Sequence, residues 1–127
     1  MFLADDTDAA RHLSMLHSRG LGVALDGFGD GFSSLVDLKT LPVTAVKIGS
    51  AFVSGVVVSP VDQAIVSAVV HLSGALALTV VAEGVETVEQ HTCVRDLGCN
   101  QVQGIFHARP LPAERLESLL GKRAVRA

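Results

Sequence analysis

The 127-residue sequence has few charged residues, only 18% of the total, and no long basic stripe. Ten lysines and arginines stand against 13 acidic residues, which gives a net charge of −3. The one local basic cluster is Lys122, Arg123 and Arg126. This balance argues against nucleic-acid binding by electrostatics, and we expect residues 121–127 to form a solvated basic tail.

Cysteine is also scarce, and its spacing excludes the common cysteine motifs. Cys93 and Cys99 form neither a C-x-x-C pair nor a zinc-binding spacing. No stretch has the pattern of a secretory signal peptide. We therefore expect two reduced, structural thiols in a cytoplasmic protein.

A long uncharged segment spans residues 64–82, and its length alone would suit a membrane span. Ser73-Gly74 divides it, however, into a helical pattern followed by a β-branched run. A glycine near a helix end before such a run indicates a helix-to-strand turn. The sequence thus predicts no membrane span, and the 49% hydrophobic content suits buried parallel strands.

Short apolar runs alternate with helical patterns along the chain. We predict helices over residues 5–18, 33–40, 61–73, 87–97 and 112–120, and strands over 21–25, 43–48, 78–82 and 100–102. The connection over 50–60 is of uncertain form. Ser33 and Ser34 are candidate caps for the second helix. In the last helix, we expect Leu116, Leu119 and Leu120 to face inward. Such alternation is typical of parallel βα units, so the predicted fold is α/β, a partial (β/α)8 TIM-type barrel with about four units.

Polar residues stand where each predicted strand ends: Asp26, Lys47, Glu83 and Gln103. The carboxyl ends of parallel strands are where a β/α barrel assembles its active site. Two carboxylates, a lysine and an amide suit metal-assisted phosphoester hydrolysis. Taken singly, Asp26 could cap a helix, Lys47 could extend along the surface and Glu83 could meet a neighbouring cation; the shared location of all four favours a functional site.

Residues 2–120 closely resemble the C-terminal half of the EAL domain, the bacterial cyclic-di-GMP phosphodiesterase family. The matching strings are Ala24-Leu-Asp-Gly-Phe-Gly-Asp-Gly-Phe-Ser-Ser-Leu35, Leu41-Pro-Val43, Val46-Lys-Ile48, Val81-Ala-Glu-Gly-Val-Glu-Thr87, Gln103-Gly104 and Ala108-Arg-Pro-Leu-Pro112. On this resemblance residues 1–127 form a single partial EAL domain.

The resemblance implies a role for each candidate residue. Asp26 and Glu83 would bind metal, Lys47 would position the attacking water, and Gln103 would contact the substrate. Glu83 would thus serve catalysis with Lys47, and Glu86 would have a supporting role. The family hydrolyses cyclic-di-GMP to the linear dinucleotide with two magnesium or manganese ions.

Two departures from the family pattern fall in the metal site. Gly27 replaces the second aspartate of the family's Asp-Asp-Phe-Gly motif, and Gly49 replaces the aspartate of Lys-Ile-Asp. Asp30, where threonine is usual, is a candidate replacement for a lost acid, and Phe32 stands where tyrosine is common. The loss of such carboxylates predicts weaker metal binding, so Mg²⁺ or Mn²⁺ is expected only where a metal site survives.

Four parallel strands cannot close a barrel, and a complete one needs about 250 residues. The resemblance places the family's Glu-Ala-Leu signature and further metal ligands outside this sequence. We therefore expect a homodimer or a complementary half-barrel to be needed. The hypotheses are a degenerate EAL protein inactive alone, a non-catalytic nucleotide-sensing or protein-interaction module, and a gene fragment without function.

Overall fold

The computed structural model describes residues 7–29 and 35–126. In chain order its elements are α1 (Thr7–Ser18), β1 (Ala24–Phe28), α2 (Leu35–Thr40), β2 (Ala45–Ile48), α3 (Ser50–Gly55), α4 (Pro60–Ala75), β3 (Thr79–Glu83), α5 (Val88–Asp96), β4 (Gln101–Gln103) and α6 (Ala113–Arg126). The predicted α/β class is confirmed.

The four strands form one parallel sheet in the order β1-β2-β3-β4. Each strand pairs with the next strand along the chain, as in one side of a β/α barrel. The registers align Ala24 with Ala45 and Ala45 with Thr79. At the carboxyl end, Glu83 lies opposite Gln103.

One face of the sheet carries the hydrophobic core. Val46, Ile48, Val80 and Ala82 alternate along β2 and β3 and are almost fully buried. They belong to one buried cluster with apolar side chains of α3, α4 and α5, namely Val53, Val66, Val69 and Val94. These helices therefore cover the face of the sheet that corresponds to the outside of a β/α barrel.

The opposite, inner face carries the residues between those core positions. Ala24 and Asp26 are exposed, whereas Ala45, Lys47, Thr79, Val81 and Glu83 are only partly buried. A closed barrel would enclose this face among four further strands. The candidate site therefore lies on the side of the sheet that the core-forming helices do not cover.

Strand β1 is longer at its carboxyl end than predicted, so Asp26 lies within the strand and not after it. Leu25 pairs with Val46 and Phe28 with Ile48, so β1 uses one residue more than β2 over this interval. Gly27 takes the extra position with φ +60°. This β-bulge turns both Leu25 and Phe28 toward the core while Asp26 stays on the inner face.

Other element boundaries also differ from prediction. The connection after β2, for which the sequence predicts no definite form, contains the short helix α3. This helix spans under two turns, too few for a clear helical period in the sequence. The final helix continues past residue 120 to Arg126. The prediction that Leu116 and Leu120 face inward is wrong, because they are 45% and 56% exposed, while Leu119 is half-buried.

Within the described ranges, no helix combines the length and apolar character required to cross a membrane. The predicted caps Ser33 and Ser34 and the loop residues Asp30 and Phe32 lie outside the described residues.

Candidate functional site

Three neighbouring strands bring a lysine and two carboxylates together on the inner face. Lys47 is the third residue of β2, Asp26 is the third residue of β1 and Glu83 ends β3. Because β2 lies between β1 and β3, the lysine stands between the two acids. We refer to Asp26, Lys47 and Glu83 as the rim cluster.

Distances within the rim cluster show an uneven arrangement. Lys47 Nζ lies 2.8 Å from Glu83 Oε1 and 3.8 Å from Asp26 Oδ1. The side chains of Lys47 and Glu83 are 23% and 21% exposed, whereas that of Asp26 is 72% exposed. The Lys47–Glu83 pair is thus close and sheltered, and the Asp26 carboxylate faces solvent, where an ion pair contributes little stability.

The cluster shifts the pKa values of its members in different directions. Burial raises the pKa of Glu83, against the opposing effect of Lys47. A hydrogen bond with Glu83 lowers the pKa of Asp26, and the pairing with Glu83 raises the pKa of Lys47. Two carboxyl groups whose environments separate their pKa values are typical of functional sites.

Gln103 ends β4 directly opposite Glu83, so the predicted fourth residue lies at the same edge of the sheet. Its side chain is exposed, and its backbone carbonyl accepts a 3.1 Å hydrogen bond from the Val85 amide. Glu86 is exposed in the loop after β3, where its backbone amide donates to Gln90 Oε1. Glu86 thus follows Glu83 closely along the chain, but its carboxylate makes no hydrogen bond or ion pair with any residue that the structure describes.

Two glycines allow the loop after β3 to lie close to its neighbours, namely the start of α3 at Gly84 and the loop after β4 at Gly104. Gly84 has φ +75°, and a Cβ there would lie 2.6 Å from Ser50 Cβ. A Cβ on Gly104 would collide with the backbone of Val85. A side chain at Gly84 would push this loop away from the start of α3, and one at Gly104 would separate the loops that follow Glu83 and Gln103.

One local feature of this edge was missed although the sequence contains its signature. Thr87 caps α5 by accepting from the Gln90 amide, and the Gln90 side chain accepts from the Thr87 amide in return. Thr-Val-Glu-Gln is a capping-box pattern. It fixes the start of α5 relative to the loop that leaves Glu83.

The rim cluster suits one hard divalent cation better than two. Mg²⁺ commonly uses one or two carboxylates together with waters and substrate phosphates, and Asp26 and Glu83 can supply those oxygens. Within residues 7–29 and 35–126, no group of three or more His, Cys, Asp or Glu side chains stands together as a metal site. The donors present fit a single, weakly held ion.

Comparison with known proteins identifies the family of this chain. The model of the family described as "EAL domain" matches residues 1–110. The oxygen sensor protein DosP of Escherichia coli K12 is 41% identical over 116 residues, which are 91% of this chain and 14% of DosP. The bifunctional diguanylate cyclase/cyclic di-GMP phosphodiesterase MucR of Pseudomonas aeruginosa is 46% identical over 82% of this chain and 15% of MucR.

Solved structures give the same result in three dimensions. The MucR phosphodiesterase in complex with c-di-GMP superposes with a TM-score of 0.80 at 44% identity, over 88% of this chain and 45% of that one. BlrP1 of Klebsiella pneumoniae, in a manganese and cyclic-di-GMP complex, gives a TM-score of 0.70 at 35% identity over 76% and 24%. The chain spans less than half of either protein, and the extensive match shows that it belongs to the EAL domain family.

Proposed function

We propose that this chain is the part of an EAL domain that binds cyclic-di-GMP through the rim cluster, and that it does not hydrolyse the dinucleotide by itself. The observation that carries the proposal is the position of Lys47 between Glu83 and Asp26 on three adjacent strands. Its relatives include a phosphodiesterase solved with c-di-GMP and a relative solved with manganese and cyclic-di-GMP. These similarities support the substrate class.

Each rim residue has a role that its chemistry suits. The Lys47 ammonium is a cation for a phosphate oxygen, and the Gln103 amide can donate to the ligand. Asp26 and Glu83 would hold Mg²⁺ or Mn²⁺, which would polarise the phosphodiester when bound. Glu83 must release Lys47 in part to serve the ion, since the two now lie 2.8 Å apart.

Loss of hydrolysis follows from the two glycines at acidic positions of the family pattern. Gly27 occupies the bulge beside Asp26, and Gly49 is the N-cap of α3 without a side-chain cap bond. A missing ligand or supporting carboxylate costs about 10- to 100-fold in metal affinity or activity. Two such losses leave too few donors for a two-metal reaction.

A complementary half-barrel suits the inner face better than a second copy of this chain. The inner positions below the rim hold small or polar side chains, namely Ala24, Ala45, Thr79 and Gln101, with Val81 the larger apolar one. The interior of a β/α barrel is filled by layers of bulky side chains. Two copies would leave that interior underfilled, whereas a half with large inward residues would complete it.

Free Cys93 and Cys99 support a reducing, cytoplasmic setting.

A thermal melt of the chain with cyclic-di-GMP and Mg²⁺ tests the proposal. Ligand at about 100 times its Kd adds about 2.7 kcal/mol, which shifts the Tm of a small domain by several degrees. Lys47→Met should abolish the shift, and Lys39→Met, which removes an exposed lysine on α2, should preserve it. Chromatography of the same samples should find the cyclic dinucleotide intact.

Three results would contradict the proposal. An unshifted cooperative melt at millimolar cyclic-di-GMP would remove the binding function. An equal shift in Lys47→Met would place binding elsewhere. Linear dinucleotide formed by the chain alone, and lost in Lys47→Met, would show that the reduced site is catalytic.

A further inference from the structure

Two histidines from separate elements lie close together. His91 is in the first two turns of α5, and His107 is in the loop after β4. Their ring centroids are 5.1 Å apart, and the ring planes make an angle of 62°. The fold, and not a local sequence motif, therefore brings the two imidazoles together. We refer to His91 and His107 as the histidine pair.

The ring nitrogens of the histidine pair are available to a ligand. Within the part of the chain that the structure describes, these nitrogens make no hydrogen bond or ion pair. His71 differs, because its Nδ1 lies 3.0 Å from the Ser67 carbonyl oxygen. His91 is half-buried and His107 is exposed, so ions from solution can reach the pair. A neutral imidazole has one nitrogen lone pair that can bind a metal ion.

The two rings are held by the structure around them. Phe106 packs against both, with ring centroids 5.4 Å from His91 and 5.1 Å from His107. The His107 amide donates to the Gly104 carbonyl over 3.1 Å, and the Phe106 amide donates to the Val85 carbonyl over 3.1 Å. The capping box fixes the start of α5, which carries the other ring. Little rearrangement is therefore needed for the pair to share one ion.

The separation of the rings fits a tetrahedral ion. With a metal–nitrogen bond of about 2.0–2.1 Å, the ion lies about 3.2 Å from the centroid of each imidazole. Two such rings at the tetrahedral angle of about 109° have centroids about 5.2 Å apart, whereas neighbouring ligands of a square-planar ion have centroids about 4.5 Å apart. The observed 5.1 Å matches the tetrahedral value. Zn²⁺ is the divalent ion that combines imidazole ligands with this geometry.

We propose that His91 and His107 bind one Zn²⁺ ion that holds the loop after β4 against α5, with water in the two remaining positions. No rim-cluster residue takes part, so this inference is independent of the proposed function. Within residues 7–29 and 35–126, no third His, Cys, Asp or Glu joins the pair. The ion should therefore exchange with solution. When bound, it restrains the loop that begins directly after Gln103.

Titration of the full chain with ZnCl₂ tests this inference. In NMR spectra, the ring protons of His91 and His107 should shift together and saturate. By isothermal titration calorimetry, His91→Gln and His107→Gln should each weaken this binding at least about tenfold. His71→Gln, which removes an exposed histidine on α4, is the matched control and should keep the parent affinity.

A thermal melt provides a second measurement. Zn²⁺ at about 100 times its Kd should raise the Tm of the parent chain by several degrees, and His107→Gln should lose this increase. The rim cluster is intact in every variant, so any zinc bound there contributes equally to all of them. If His91→Gln does not fold, the ring signals of the parent chain and the exposed His107→Gln still decide the question.

Three results would overturn the histidine pair as a zinc site. The first is equal Zn²⁺ affinity in His107→Gln and the parent chain. The second is a zinc-dependent shift at Asp26 and Glu83 without a shift of the two histidine rings. The third is a shift confined to one ring, which would show binding by a single imidazole. Zinc binding by the pair in a chain that does not bind cyclic-di-GMP would support this inference while the proposed function fails.

Discussion

Gly27 affects both the backbone conformation of β1 and the number of carboxylates beside the rim cluster. Its φ of +60° lies in the left-handed region, where glycine is unstrained and aspartate is tolerated better than most residues. The bulge it forms carries Phe28 into the core and leaves Asp26 on the inner face. The glycine therefore suits the backbone but omits a carboxylate that the family pattern has.

Gly27→Asp should strengthen metal binding at the rim while lowering stability. We expect about a 10-fold gain or more in Mn²⁺ affinity, measured by isothermal titration calorimetry, because a carboxylate returns beside Asp26. The left-handed backbone should reduce the free energy of unfolding by about 1 kcal/mol. Gly20→Asp is the matched control, since Gly20 has φ +88° and open space around it; it should lose stability without gaining Mn²⁺ affinity. Equal Mn²⁺ affinity in both variants would count against a metal site at the rim.

Cys99 is a half-buried thiol whose acidity the fold changes. Burial raises the pKa of its thiol to about 11. At pH 8 about one thousandth of this thiol is then ionised, and the thiolate is the reactive form. We expect iodoacetamide to modify Cys99 in the native chain at least tenfold more slowly than in urea, measured by peptide mass spectrometry.

The same shift predicts a loss of stability in alkali. The folded chain holds the Cys99 proton more tightly than the unfolded chain, whose thiol has a pKa near 9.0. This contribution is complete below about pH 9 and is lost as the pH rises toward about 11. Cys99→Ala should flatten that part of the Tm profile, and an unchanged slope would show that another group titrates there.

At the scale of elements, the sequence predicts which segments are helices and strands more reliably than where they end. All four strands are present, but β1 begins three residues later than predicted and contains Asp26. Residues 21–23 are apolar enough for a strand, yet pairing starts at Ala24, and only the partner strand decides that. Helix α3 lacks both a side-chain cap and the length for a clear helical period.

Packing of α6 was mispredicted for a similar reason. The spacing of its leucines identifies an apolar stripe, but not what the stripe meets. Leu116 and Leu120 remain largely exposed on the described surface. A pattern of residues predicts a face of a helix, whereas its burial depends on the rest of the fold.

Gly104→Ala tests the contact between the loops after β3 and β4. The added Cβ would overlap the Val85 backbone, which cannot move as a flexible side chain would. We expect the free energy of unfolding, measured in urea, to fall by about 1–3 kcal/mol. Gly74→Ala, in α4 with nothing within 4 Å of the new Cβ, should instead raise it by up to about 1 kcal/mol. Equal effects of the two substitutions would show that the loops separate without cost.

At the scale of the whole molecule, the common location of the four site residues followed from topology. Parallel strands have their carboxyl ends at one edge, so Asp26, Lys47, Glu83 and Gln103 could be grouped before any distance was known. The 2.8 Å distance between Lys47 Nζ and Glu83 Oε1, and the partial burial of both side chains, could not be predicted from the sequence. They depend on the parallel register of β2 and β3, in which Lys47 lies opposite Val81.

The half-barrel makes a prediction about assembly. A separately purified N-terminal half of an EAL domain, with large inward side chains, should form a one-to-one complex with this chain because it fills the inner face. Light scattering should then give the summed mass, and Leu-to-Ala changes at inward positions of the added half should weaken the complex. A stable homodimer that excludes the added half would reverse the preference for a complementary partner.

The strictly sequential strand order also determines how the sheet opens. In the sheet formed by residues 7–29 and 35–126, β2 and β3 are each paired on both sides and carry fully buried side chains, whereas β1 and the three-residue β4 are each paired on one side only. Backbone amides should therefore exchange with deuterium most slowly in β2 and β3, and fastest at the two edges. Protection that appears at Gln101–Gln103 or at Ala24–Phe28 when a partner is added would report which edge that partner has joined, without any measurement of size.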